Sequence, residues 1–196
     1  MERFELMYED LEIDGLVNIS IVTSPAIEEN FKAFSKHNTF SLSKIDEEKR
    51  IITGPAMIAN KDLIRYDFFG EPYVEFFSAE TIRKISEKFM MDGKLKNVNI
   101  EHNFTGNDIT IVENWIVENS IQDKSAYLGY NLTPGSLMIS MKVNNDSVWN
   151  MIKNNYLTGF SIEGFFTSKL VNHSKKLSEE ENAQKKLDMI KKYFEL

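Results

Sequence analysis

The chain has 196 residues, 42% of them hydrophobic and 12% aromatic, which is enough for a sizeable core and reads as one domain with a tail. A formal charge of −7 argues against binding nucleic acid through a general basic surface. With no cysteine, disulfides, thiolate nucleophiles and cysteine-ligated metals are excluded. The N-terminal Met1-Glu2-Arg3-Phe4-Glu5 lacks the basic-then-apolar pattern of a secretory signal. No apolar run reaches the ~20 residues of a membrane span. A soluble, intracellular protein with no membrane partner is expected.

The first strand-like segment is 16–22, where Val17, Ile19 and Ile21 share one face and Leu16, Asn18, Ser20 and Val22 the other, before the turn signal Thr23-Ser24-Pro25. Residues 27–50 are polar and mixed and read as a connector. Residues 51–59 are strand-like, with Gly54-Pro55 marking a bulge or an edge, and 73–77 is a further strand. Ser78 then caps a helix in which Ile82, Ile85 and Phe89 recur at helical spacing, and Asp92-Gly93 stops it. A strand through His102 follows, then one from Ile109 to Val117. Pro134-Gly135 turns the chain into the alternating strand 137–143. A short helix over 146–153 carries Val148, Trp149 and Ile152, with Asn154-Asn155 as a left-handed stop. The strand of Ser161 comes next. After a polar linker at 172–177, Ser178-Glu179-Glu180-Glu181 forms a capping box for a terminal helix with the apolar stripe Ala183, Leu187, Ile190 and Phe194. Several strands with inserted helices predict a mainly β or α+β domain around a closed or strongly curved sheet.

Two segments carry chemistry. Alternation along the first puts Val98, Ile100 and His102 on one face. Along the second, Leu157, Gly159, Ser161, Glu163 and Phe165 share a face, with Phe160, Ile162 and Phe166 opposite. Gly159 and Gly164 bracket the serine and permit close approach of another backbone. A serine hydroxyl becomes a nucleophile when a base lies in hydrogen-bond range, and histidine is the usual base. A core-edge histidine and a strand serine bonded to a neighbour is the plain structural alternative. The surroundings of Ser161 lack G-x-S-x-G spacing, which disfavours an α/β-hydrolase. His37 and His173 sit in polar stretches, and three histidines without H-x-x-x-H spacing make no zinc site. No glycine-rich phosphate loop precedes a helix. No cofactor or metal is expected.

Five segments together add a resemblance: Val17 to Ile27 (VNISIVTSPAI), Ile52 to Ala59 (ITGPAMIA), Asn99 to Phe104 (NIEHNF), Gly135 to Val143 (GSLMISMKV) and Gly159 to Phe166 (GFSIEGFF). In this order they resemble the XkdF-like phage serine proteases, relatives of prohead maturation proteases with the herpesvirus assemblin fold. The resemblance implies an assemblin-like β-barrel flanked by helices over 1–171, with residues 172–196 as linker and C-terminal helix. It implies His102 as general base and Ser161 as nucleophile of a serine endopeptidase. Its substrates would be phage scaffold and major capsid proteins, cut inside the immature head in the host cytoplasm. A homo-oligomer is compatible with it. The competing reading keeps the fold but not the activity, as a non-catalytic head-assembly or scaffold-like protein.

The third catalytic member is open. In the wider prohead protease family a segment of the form E-V-S-L-V-x-x-P-A follows the serine strand. Here Asn18-Ile19-Ser20-Ile21-Val22-Thr23-Ser24-Pro25-Ala26 stands at the N-terminus instead, which looks like a circular permutation of one strand. Asn18 would then occupy the acid's place, its amide oxygen fixing the imidazole tautomer without supplying charge. The alternatives are Glu163, close to the serine along one strand, and Glu113 or His173.

Overall fold

The computed structural model describes residues 1–9, 14–24, 44–46, 49–105 and 108–172. Twelve strands and three helices follow one another among these residues. The first half holds β1 (Arg3–Met7), β2 (Gly15–Val22), β3 (Lys44–Asp46), β4 (Ile51–Met57), β5 (Leu63–Tyr66), β6 (Pro72–Phe77) and the helix α1 (Ala79–Met91). The second half holds β7 (Val98–Ile100), β8 (Phe104–Thr105), β9 (Ile109–Ile116), α2 (Lys124–Tyr127), β10 (Leu137–Val143), α3 (Asp146–Lys153), β11 (Gly159–Phe165) and β12 (Thr167–Asn172).

The strands form three four-stranded sheets, in the orders β12-β1-β6-β5, β3-β4-β10-β9 and β11-β2-β7-β8. Pairs β1/β6 and β2/β7 are parallel and the rest antiparallel. The mainly β expectation holds, but no sheet closes into a barrel. Strands β11 and β4 pack without a ladder, so closely that a Cβ added at Gly54 would lie 3.3 Å from the Phe160 ring. Alternation shows which face of a strand is apolar; it does not encode whether the last strand finds the first. The anticipated terminal helix at 178–196 and His173 and His37 lie outside the described residues.

One core joins the three sheets. Ile19 and Ile21 of β2, Ile52 of β4, Ile139 and Met141 of β10, and Ile82, Ile85 and Phe89 of α1 are essentially inaccessible. Helix α1 is built as its sequence suggests. Ser78 Oγ accepts the Thr81 N–H at 3.3 Å, and Gly93 takes the left-handed conformation that ends the helix, with φ +67°. Helix α3 is capped by Asn145 Oδ1 on the Val148 N–H at 3.0 Å and stopped by Asn155 at φ +57°. In β4 the register against β10 slips between Leu137 and Met138, which leaves Ala56 as the bulged residue beside Pro55. β3 pairs only with Ile51, Ile52 and Thr53, so the missing N–H of Pro55 interrupts no ladder to β3.

Sequence patterning underestimated the first sheet. β1, β5 and β12 are short, and β12 occupies a stretch whose end reads as linker. β1 and β12 depend on partners far away in the chain, Phe4 opposite Leu170 and Arg3 beside Val74, whereas β5 pairs locally with β6, Tyr66 opposite Pro72.

Candidate active site

The β11-β2-β7 sheet has two unlike faces, and register sets them apart. Ile19 stands beside Val98 and Ile21 beside Ile100, so these four apolar residues fill the core side. Ser20 stands beside Asn99 on one flank and opposite Ser161 on the other, and Glu163 is opposite Asn18. Directly paired residues project to the same face, with Cβ atoms about 4.5–5.5 Å apart. The opposite face therefore collects Asn18, Ser20, Asn99, Ser161 and Glu163. A bulge at Val17 shifts the register between Glu163 and Gly164, turning Val17 outward and Leu16 into the core. Gly164 is required at this bulge: a Cβ there would lie 2.3 Å from the carbonyl oxygen of Gly15. The backbone that approaches the glycine is the protein's own.

His102 joins the polar face through a turn. Strand alternation would put it beside Ile100, on the core side. In the structure β7 ends at Ile100, and Glu101 and His102 both take left-handed backbone, at φ +52° and +59°. The Asn103 N–H closes the turn onto the Ile100 carbonyl at 3.1 Å. Two consecutive positive φ values mark the mirror-image turns that match strand twist in hairpins, here leading into β8. The left-handed conformation is costly for a glutamate. It is held by the Glu101 N–H on the Ile21 carbonyl at 3.1 Å and by the Thr23 N–H on the Glu101 carboxylate. The reversal carries the imidazole to the face of Asn99 and Ser20.

There the ring meets Glu163. Nδ1 of His102 is hydrogen-bonded to Glu163 Oε1 and lies 2.9 Å from Ser20 Oγ. Ser20 Oγ donates to Glu163 Oε1 at 3.0 Å, Asn99 Nδ2 to the same oxygen at 2.9 Å, and Asn18 Nδ2 to Oε2 at 3.0 Å. Partial burial pushes the Glu163 carboxyl up, but hydrogen bonds from Asn99, Asn18, His102 and Ser20 outweigh it and hold the pKa down at about 2. Glu163 is thus an ionised, acceptor-only group near neutral pH. An ionised oxygen against Nδ1 favours a proton on that nitrogen. In a neutral ring with that tautomer, Nε2 keeps the lone pair available to act as a base.

Ser161 differs from every other hydroxyl on this face. It is buried at 3% exposure, and its Oγ has no hydrogen-bond partner among the described residues. A buried hydroxyl without a partner calls for an explanation, and Ser125 Oγ is the other one among the described residues. No hydrogen bond joins Ser161 to His102. Ser20, directly opposite, is the serine that touches the ring, but it does so at the protonated nitrogen and commits its own proton to Glu163. A cleft of about 350 Å³ passes along residues 160–164, on the edge of β11 that carries no ladder partner among the described residues. Its far wall is formed by Met57, Leu63, Phe77 and Phe166, with Lys61, Arg65 and Glu75 among its polar residues. Burial lowers the pKa of the Lys61 ammonium, and Arg65 pairs with Glu75 at 3.3 Å. Five strand residues span about 17 Å, the reach of a short extended peptide.

The structure thus brings His102, Glu163, Asn18 and Ser161 to one face of one sheet. Asn18 is placed on the far oxygen of Glu163, so the amide of β2 supports the carboxylate while the carboxylate holds the ring. Glu113 lies on β9, bonded to Lys124 and Ser140. Ser20 and Asn99 went unnoticed in the sequence, although each is a polar residue alternating with apolar ones on strands of opposite-facing isoleucines and valines.

The chain is 26% identical over 145 residues to the phage-like element PBSX protein XkdF of Bacillus subtilis (strain 168), a match covering 71% of this chain and 43% of that protein. The chain thus spans under half the length of this curated relative. No solved structure matches. Residues 39–169, well over half the chain, match the family described as "Putative phage serine protease XkdF", and the chain belongs to that family.

Proposed function

We propose that this protein is a serine endopeptidase that cuts scaffold and capsid-protein segments inside the immature phage head, in the host cytoplasm. One observation carries the reading. An ionised carboxylate grips Nδ1 of an imidazole on the face where a buried serine hydroxyl has no partner among the described residues, on a strand that lines a peptide-sized cleft. In the proposed reaction Ser161 Oγ attacks the scissile carbonyl while Nε2 of His102 takes its proton. Glu163 stabilises the imidazolium that forms, and His102 then returns the proton to the departing amine. Backbone N–H groups would hold the oxyanion. The histidine–serine hydrogen bond would form only when substrate fills the cleft, as catalytic hydrogen bonds are often unmade or long without it. An extended substrate would lie along the free edge of β11, the ordinary main-chain route to peptide recognition.

Glu163 takes the part of the third member in this scheme, and Asn18 that of its supporting amide. The scaffold and capsid substrates follow from the phage family, not from the site.

The test is co-expression with the scaffold and major capsid proteins of the same phage, comparing wild type with Ser161→Ala. Defined fragments from wild type and none from the variant support the peptidase. Identical fragments from both, or none from either, leave a head-assembly protein that retains the fold without the activity.

A further inference from the structure

We infer that Ser20 is a positioning residue for His102, fixing the tautomer and orientation of the base; this rests on the peptidase reading of the same site. Ser20 is inaccessible to solvent, and its register partners, Asn99 and Ser161, flank it on the polar face. Its hydroxyl has one proton and two lone pairs. The proton goes to Glu163 Oε1 at 3.0 Å. A lone pair faces Nδ1 of His102 at 2.9 Å. The Nδ1–H bond therefore has two acceptors side by side, the carboxylate oxygen and the hydroxyl oxygen, and the hydroxyl is itself polarised by donating to that carboxylate. The opposite arrangement, Ser20 donating to Nδ1, would leave a bare ring nitrogen against Glu163.

Position along the strand makes the role specific. His102 comes from a reversed turn that is partly exposed, with its side chain 41% accessible. A ring on such a turn needs a fixed point, and Glu163 is itself a long side chain. Ser20 is a short one on a central strand of the sheet, so its Oγ moves little. The charged group on the ring is Glu163 from β11; the neighbouring Glu101 of the turn commits its carboxylate to the Thr23 N–H. Ser20 is not the attacking serine in this arrangement. Its proton is committed to a carboxylate, and the nitrogen it touches is the one that cannot accept a proton.

The experiment uses the full chain with a peptide containing its mapped cleavage site. Ser20→Ala is expected to lower kcat roughly 10- to 100-fold, the worth of one hydrogen bond in a charged network, with KM unchanged. The acid limb of the kcat/KM pH profile should move with it. Nitrogen-15 NMR of His102, read on the Ser161→Ala background to avoid self-cleavage, should show a smaller fraction of the Nδ1–H tautomer when Ser20 is also replaced, because Glu163 then favours it alone. Ser20→Thr and Ser20→Val form a matched pair in shape that differs in the hydroxyl. Threonine should keep the tautomer and pH profile and valine lose both, which serves if Ser20→Ala does not fold. An unchanged tautomer and pH profile in the alanine and valine variants would overturn the inference. So would cleavage that survives Ser161→Ala and vanishes with Ser20→Ala, since Ser20 would then be the nucleophile. Absence of cleavage by wild type would defeat the peptidase reading alone, because the NMR comparison still reports on Ser20.

Discussion

Two carboxylates in this molecule are gripped by a nitrogen cation or imidazole and by a serine hydroxyl, and they have opposite prospects. Glu113, on β9, receives Lys124 Nζ on both oxygens at 2.7 and 2.6 Å and Ser140 Oγ at 2.6 Å. Hydrogen bonding from Lys124 and then Ser140 lowers its pKa against the pull of burial. Ser140 in turn shares a hydrogen bond with Thr53 Oγ1 at 2.9 Å. Glu163 receives His102, Ser20, Asn99 and Asn18. An ammonium has donors only, so once it is bound to Glu113 nothing is left to accept a proton. An imidazole bound through Nδ1 still has Nε2. The serine beside Glu113 is fully partnered, whereas Ser161, two residues from Glu163, is not. On the peptidase reading, the same ingredients make a structural clamp on one sheet and an acid–base pair on the other.

Glu163→Gln puts the largest strain on that contrast. On the peptidase reading the amide no longer stabilises imidazolium, and its own N–H₂ competes with the donors of Asn18 and Asn99. Peptide cleavage should fall about 10³- to 10⁴-fold, the scale seen when a triad acid is neutralised, as measured by kcat/KM on the mapped peptide. A loss of less than tenfold would return Glu163 to the class of Glu113. Acid stability gives the next largest effect. The carboxyl titrates at about 2 when folded against an ordinary 4.5, so its contribution is complete above about pH 4.5 and disappears as pH falls towards 2. That contribution is at most on the order of 3 kcal/mol. Melting temperatures followed from pH 5 to pH 2 should drop less steeply for Glu163→Gln than for wild type.

The elements were legible where one strand or helix carried its own signal. Ser78, Ile82, Ile85 and Phe89 announce α1, and Asn155 announces the end of α3. Histidine and serine as the reacting pair came from motif resemblance. What residue order along a strand does not contain is the neighbour. Glu163 and Asn18 are 145 positions apart and meet only because β2 and β11 pair in one register with a bulge at Val17. The side of the sheet on which His102 falls depends on two left-handed residues, and a glutamate at one of them gives no warning. A closed or strongly curved sheet was expected because short alternating strands are common to barrels and open sheets; closure is decided by which edges pair, and alternation does not record that.

The Glu113 cluster offers two smaller tests of the contrast. Ser140→Ala removes a fully buried hydroxyl that donates to Glu113 and bonds Thr53, leaving both short of a partner. It should destabilise the fold by about 1–3 kcal/mol in urea titration while leaving kcat unchanged. Glu113→Gln is the gentlest change. The Lys124 pair is about half exposed, and such pairs contribute roughly 0–1 kcal/mol. The amide oxygen can still accept from Ser140. Stability should fall by under about 1 kcal/mol and cleavage should stay within twofold of wild type. If Glu113→Gln instead removed cleavage while Glu163→Gln preserved it, the clamp and the acid–base pair would have to exchange roles. The free Nε2 of His102 would then no longer mark the site of chemistry.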